Sequence, residues 1–150
     1  ASGSKYIIFR TAWLYGAHGR NFPNPIAVML RRSGPVSIVD DQFGQPTWTK
    51  DLANLVLAHC ISDFGEELVH AVSSGSASWF DFAKAVWHSS GGGERGKITP
   101  ISSSDFQSIA ARPRNCVLDN NKTKGPIIGD WLDRWKTAAP EVLKSVQESM

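Results

Sequence analysis

Residues Tyr6–Tyr15, YIIFRTAWLY, decide the fold class. The run is dense in β-branched and aromatic residues and lacks the alternation of a strand with one wet face. It reads as a strand buried on both faces, as in a parallel sheet. Gly16, His18 and Gly19 then break it into a loop. Working outward, Val36–Val39, Leu68–Val72 and Ile98–Ile101 are further short apolar runs bounded by turn residues, and each reads as a strand. Helical patterns lie between them. Ile26–Arg32 follows Pro23 and Pro25, which a first turn tolerates, and ends at Gly34-Pro35. Leu52, Leu55, Val56 and His59 share a face at helical spacing, with Thr49 or Asp51 as the cap and Gly65 as the stop. After a small-residue turn at Ser73–Ser78, Ser78 is the expected N-cap of an aromatic helix Trp79–His88. Gly91–Gly93 is a flexible break, Ser102–Asn115 a long polar segment, and Cys116–Leu118 a short extended piece. Asp119–Lys124 is expected to form a helical turn, and Asp130–Val146 an amphipathic helix interrupted or restarted at Pro140. Strands alternating with helices argue an α/β fold.

At 150 residues the chain is one ordinary domain. With 41% hydrophobic and 20% charged residues it matches soluble globular proteins. The net charge of +2 is scattered, so no strong field draws nucleic acid or an anionic membrane. Arg31-Arg32, the one adjacent basic pair, reads as a solvated helix face. Cys60 and Cys116 fit neither metal spacing nor a disulfide framework, which suits a reducing cytosol. Cys60, in an apolar helical run, reads as a small core residue. His18, His59, His70 and His88 lack ligand spacing, so no metal site is expected. No stretch has the length of a signal peptide or a membrane span. Localisation is expected to be cytoplasmic. The most apolar strand stands first with nothing before it to cover it, so further sequence is expected upstream.

Several segments, in order along the chain, resemble the dTDP-4-dehydrorhamnose reductase family of extended short-chain dehydrogenases. Arg10–Gly16 (RTAWLYG) is similar to its R-T-x-W-x-Y-G, and Asn21-Phe22 to its N-F pair. Val39–Thr47 (VDDQFGQPT) is close to V-x-D-Q-x-G-x-P-T, with Asp51-Leu52-Ala53 following. His70–Phe82 (HAVSSGSASWFDF) is similar to H-x-S-G-x-x-S-W-x-x-F. Ala111–Asp119 (ARPRNCVLD) matches A-R-P-x-N-S-x-L-D, with Cys116 in place of Ser. Gly129-Asp130-Trp131 stands where an L-P-x-W-like element lies, without the proline. The 39–47 and 111–119 segments are the specific ones.

The resemblance implies the C-terminal part of an extended short-chain dehydrogenase Rossmann-like fold. Residues 1–150 would form the substrate-binding domain, and residues 1–16 a strand of the parent's central sheet. The N-terminal half, with its glycine-rich turn and Tyr-x-x-x-Lys pair, would be absent. Tyr6 is followed four residues later by Arg10, and Tyr15 by Gly19, so neither makes that pair. No catalytic residue is therefore expected here. The parent would reduce dTDP-4-dehydro-L-rhamnose to dTDP-L-rhamnose with NADPH or NADH. The isolated chain is expected to bind no cofactor and to be inactive. The implied partners are a dTDP-sugar and the missing Rossmann half, with a homodimer also allowed and no nucleic acid or membrane. Two alternatives stand beside this reading: a non-catalytic, reductase-like regulatory subunit, and another sugar-nucleotide reductase or epimerase of the same fold.

Six positions are expected to touch substrate. Trp13 lies at a strand's C-terminal end, where open α/β sheets place ligands, and the resemblance stacks it on the sugar; core packing is the competing reading. Thr11 and Tyr15 share its face if the strand is flat. Asn21 and Phe22 open a helix whose N–H groups favour an anion, the competing role of Asn21 being a turn cap. Gln42 carries the donor and acceptor to read a nucleobase edge, or else steadies its loop. Arg112, kept extended by Pro113, suits a bidentate phosphate contact, with Asn115 in support; a surface salt bridge competes. Trp79, Phe80 and Phe82–Val86 are expected in the core, and Trp131 and Trp135 anchor the last helix.

Overall fold

The apolar run at 6–15 splits into two strands at Trp13, whose φ of 45° turns the chain. A computed structural model describes residues 6–19, 21–23, 26, 35–62, 68–91, 98–106, 110–121 and 123–148, with side chains of the last helix described to residue 144. Chain order is β1 (Ile8–Arg10), β2 (Leu14–Tyr15), β3 (Val36–Val39), β4 (Phe43–Gly44), β5 (Thr47–Trp48) and α1 (Thr49–Ile61). Then come β6 (Leu68–His70), β7 (Ser73–Ser74), β8 (Ala77–Ser78), α2 (Trp79–Ser89), β9 (Ile98–Ile101), β10 (Ile128–Asp130) and α3 (Trp131–Glu148). Parallel ladders join β1 to β6, β2 to β5, β3 to β9 and β7 to β10. Among the described residues only β4 and β8 pair antiparallel. The α/β class expected from the alternation is the one observed, and the long ladders are the parallel ones.

Two apolar clusters hold these elements. Leu55 of α1 packs with Val69, Ala71 and Ile128, and Ile7, Phe9 and Leu52 close around them. Phe9 meets the His59 ring edge-on at 5.7 Å. The larger cluster joins Tyr15 and Trp48 to Phe82, Ala83, Ala85 and Val86 of α2 and to Trp135, Ala138, Ala139 and Val142 of α3. Trp79 and Trp131 pack against its margin, so the aromatic positions of the last two helices are core, as their spacing implies. Phe80 instead lies half-buried under the Lys84 ammonium, 4.8 Å from its ring centre. Ser78 caps α2 in a reciprocal capping box: its hydroxyl accepts from the Asp81 N–H while the Asp81 carboxylate accepts from the Ser78 N–H.

Four expectations are corrected. The first strand is buried on one face only: Ile7 and Phe9 face α1, whereas Ile8 is 53% exposed. Period-two geometry sends adjacent residues to opposite faces, and only one face is covered among the described residues. Cys60 is exposed, because Leu55 and His59 take the buried side of α1 and Cys60 lies one residue further round. Neither Thr49 nor Asp51 caps α1; Trp48 holds the N-cap position without a side-chain bond. Helix α3 runs through Pro140 without interruption, secured by buried Ala138 and Ala139 before it and Val142 after it. Asp119–Lys124 makes one hydrogen-bonded turn, Thr123 N–H to the Asn120 carbonyl at 3.1 Å, with residue 122 outside the described set. Of the expected helix Ile26–Arg32 only Ile26 is described, and it is helical. Arg31-Arg32, Gly92 and Gly93 lie outside the described residues. Among the described residues no helix is long and apolar enough to cross a membrane.

Candidate functional site

The loop that leaves β3 at Asp40 gathers the chain's specific motifs into one place. Asp41 accepts from the Ser103 N–H at 2.8 Å, the Ser103 hydroxyl at 2.9 Å and the Ser102 hydroxyl at 3.3 Å. The Ser103 backbone donor is the main reason its carboxyl is held below the usual carboxylate range. Next, Phe43 N–H donates to the Arg114 carbonyl at 2.8 Å, and Cys116 N–H to the Phe43 carbonyl at 2.9 Å. Gln45 follows, buried, with its amide donating to the Leu118 carbonyl at 2.9 Å and accepting from the Leu118 N–H at 2.8 Å. Thr47 closes the loop: its hydroxyl donates to the Gln45 carbonyl and accepts from the Ser73 N–H. The 39–47 and 111–119 segments, separate in sequence, thus lie side by side.

Trp13 lies under this loop. Its indole stacks on Trp79, with ring centres 3.6 Å apart and planes 10° from parallel. A Cβ built on Gly44 would fall 2.4 Å from Trp13 Cε2, 2.7 Å from Nε1 and 2.8 Å from Cδ2, distances that put it above the ring plane. Trp79 already fills the space over one face, so Gly44 covers the other. The indole is sandwiched and half-buried, with both faces occupied. The resemblance implies a hexose stacked on this ring, and in this structure Trp79 and Gly44 lie against it. Nor do residues 11, 13 and 15 share a face. The positive φ at Trp13 ends the alternation and sends Tyr15 into the core, 1% exposed.

The other expected residues divide. Phe22 packs into the aromatic cluster, 4.6 Å from Trp79 and 5.4 Å from Phe82. Asn21 acts on its own loop, its amide donating to the Gly16 carbonyl at 2.9 Å with longer contacts to the carbonyls of His18 and Gly19. Gln42 is half-buried and its amide makes no hydrogen bond among the described residues. Arg112 is exposed and forms no ion pair among them. Asn115 is exposed; its side-chain oxygen accepts from the Val117 N–H at 2.9 Å, and its backbone bridges Phe43. Gln42, Arg112 and Asn115 therefore belong to the joined loops, with Trp13 beneath them. Phe22 reaches the group through Trp79, whereas the hydrogen bonds of Asn21 stay within residues 16–21.

Sequence reasoning missed Gln45, which occupies a free position between Gly44 and Pro46 of the motif. It also missed the pairing of Asp51 with Arg134, both of whose contacts are 2.7 Å. That pair ties α1 to α3 beside Tyr15, whose phenol burial pushes well above its ordinary pKa, with the Asp51 charge adding to the effect and the Arg134 charge opposing it. A cavity of about 300 Å³ opens next to Asp51 and Arg134, lined by Leu55, Ala58 and residues 126–129, and contains none of the expected site residues. Its position between α1 and β10, away from the joined motifs, argues against its being the substrate seat. Among the described residues no cluster of His, Cys, Asp or Glu could hold a metal. A Cβ at Gly16 would meet the Thr49 hydroxyl at 2.4 Å, so that glycine serves packing against α1 rather than approach by a ligand.

The family model described as the RmlD substrate binding domain matches residues 1–148. A probable dTDP-4,6-dihydroxy-2-methyloxan-3-one 4-ketoreductase of Streptomyces antibioticus is 34% identical over 139 residues, covering 91% of this chain and 47% of that protein. The dTDP-4-dehydrorhamnose reductase of Streptomyces griseus is 36% identical over 143 residues, covering 91% and 45%. Among solved structures, a dTDP-4-dehydrorhamnose reductase from Bacillus anthracis in complex with NADP superposes with a TM-score of 0.81 at 28% identity, over 92% of this chain and 49% of that one. The chain spans about half the length of the curated relatives it matches.

Proposed function

Because the chain belongs to the RmlD substrate-binding-domain family, we propose that residues 1–150 form the sugar-nucleotide-binding part of an NAD(P)H-dependent dTDP-4-dehydrorhamnose reductase. One observation carries the reading: Phe43 exchanges two backbone hydrogen bonds with Arg114 and Cys116, so the family's two most specific motifs make a single wall above Trp13. Such a wall has the chemistry a dTDP-sugar needs. Arg112 is exposed, without an ion pair among the described residues, and its guanidinium suits the diphosphate, with Asn115 in the same segment. The Gln42 amide, without a hydrogen bond among the described residues, has the donor and acceptor for the thymine edge. Trp13 presents its indole edge toward the hexose, and Asn21 steadies the loop next to it. The hydride donor and the proton-donating Tyr-x-x-x-Lys pair would come from outside these residues, since neither Tyr6 nor Tyr15 has a lysine four positions on. The domain's part in the reaction is then to bind and orient the substrate so that C4 faces the nicotinamide.

The Streptomyces antibioticus relative is named for a different dTDP-linked keto sugar. The shared features are the dTDP group and a ketone reduced at C4, and dTDP-4-dehydro-L-rhamnose is the member named by the Streptomyces griseus relative. Cytosolic residence belongs to the same reading, both cysteines being free thiols. No observation favours a non-catalytic regulatory subunit.

Calorimetric titration of this chain with dTDP, UDP and GDP tests the proposal. It expects dTDP to bind most tightly, and a preference for UDP or GDP would count against it. The chain alone should show no NADPH oxidation with dTDP-4-dehydro-L-rhamnose, and turnover by these 150 residues would contradict the division of labour.

A further inference from the structure

We propose that Gln45 is a positioning residue, which sets where the 111–118 segment, and with it Arg112 and Asn115, stands over the substrate wall. The inference rests on the functional reading above and deepens it. Gln45 is 2% exposed, and its amide meets both backbone groups of Leu118, 73 positions away. A primary amide is the neutral side chain with a donor and an acceptor spaced like a peptide unit, so it pairs with a backbone as a strand neighbour does. Few other contacts hold residues 111–118 among the described residues. Residues 111–115 and Val117 are exposed, so little apolar burial fixes their height. The Arg114–Asp41 contact is long at 3.9 Å, with the Arg114 side chain largely in solvent. Among the described residues, two backbone bonds at Phe43 and the Gln45 clamp hold residues 111–118 themselves, while His70 at 2.6 Å on the Asp119 carbonyl and the Asn120 amide on the Val72 carbonyl secure the chain just beyond them. Gln45 is itself tied to the buried floor, because its carbonyl accepts from Thr47, whose hydroxyl accepts from Ser73 N–H. The amide therefore transmits the position of the core to the exposed segment. It stands at an open position of the resembled motif, between Gly44 and Pro46.

The test is dTDP binding by the full chain and by Gln45→Met, which keeps the volume and loses both hydrogen bonds. Affinity should fall about tenfold, the scale of one to two lost hydrogen bonds. Amide exchange at Cys116 and Leu118 should accelerate while the circular dichroism of α2 and α3 is retained. Arg112→Ala should cost less in the Gln45→Met background than alone, by about threefold or more, because an arginine no longer held in place contributes less. A merely structural glutamine would leave the two losses additive, which would overturn the proposal, as would parental dTDP affinity in Gln45→Met. Should Gln45→Met not fold, Gln45→Glu carries the test: it keeps the acceptor for Leu118 N–H, sets a carboxylate against the carbonyl, and should also weaken binding. Parental affinity there would overturn the proposal too. If the unaltered chain does not bind dTDP, the functional reading fails and this inference with it; if it binds and neither variant weakens, only the inference fails.

Discussion

Trp13 combines two features that rarely coincide, a left-handed backbone and a fully sandwiched ring. A φ of 45° on a bulky residue costs about 1–3 kcal/mol and persists only where surrounding contacts impose it. Here Trp79 and the bare backbone of Gly44 impose it. Gly44→Ala should therefore displace the indole, since the added carbon would sit 2.4 Å from Cε2. We expect loss of the Trp13–Trp79 exciton signal in circular dichroism and a destabilisation of about 1–3 kcal/mol in denaturant melts; an unchanged spectrum and midpoint would contradict the sandwich. The motif made the importance of Trp13 legible, but not its orientation. Alternation assumes every residue of the strand is extended, and one positive φ reverses which side chain faces the core. Gln45 was illegible for another reason. A polar residue in a polar loop gives no sign of burial until its partner, 73 residues on, is known.

At the scale of elements, the β3–β5 loop behaves as a junction rather than a free connection. Its first anchor is electrostatic. Hydrogen bonds from Ser103 and Ser102 hold the Asp41 carboxyl below its ordinary pKa, against the opposing effect of desolvation. A depressed folded-state pKa means the contribution is complete above the unfolded value, about 3.9, and is lost as pH falls through the folded one. Acidification below about pH 4 should therefore speed amide exchange at Ser103, and Asp41→Asn should abolish that pH response. Exchange at Ser103 independent of pH once the intrinsic chemical rate is removed would refute the anchor. Strand and helix identities were legible because apolar runs and caps are local signals: Val36–Val39, Ile98–Ile101 and the Ser78 cap fall where the sequence puts them. The uninterrupted α3 was not, because Pro140 weakens a helix locally while the burial of Trp135 and Val142 that sustains it is tertiary.

Across the whole molecule, two apolar clusters hold the short parallel ladders to the helices, and loops at the strands' C-terminal ends meet. That is where α/β sheets collect ligands. The fold class was legible from alternation alone. The convergence of the 39–47 and 111–119 segments was not, since nothing in their spacing brings residues 43 and 114 together. It is also what separates the proposed seat from the concavity beside Asp51 and Arg134. Mapping amide exchange with and without saturating dTDP tests this most directly. Protection should concentrate at residues 42–47 and 111–118. Protection centred on α1 and residues 126–129, or none in the two joined loops when dTDP is bound, would contradict a sugar-nucleotide seat built from them.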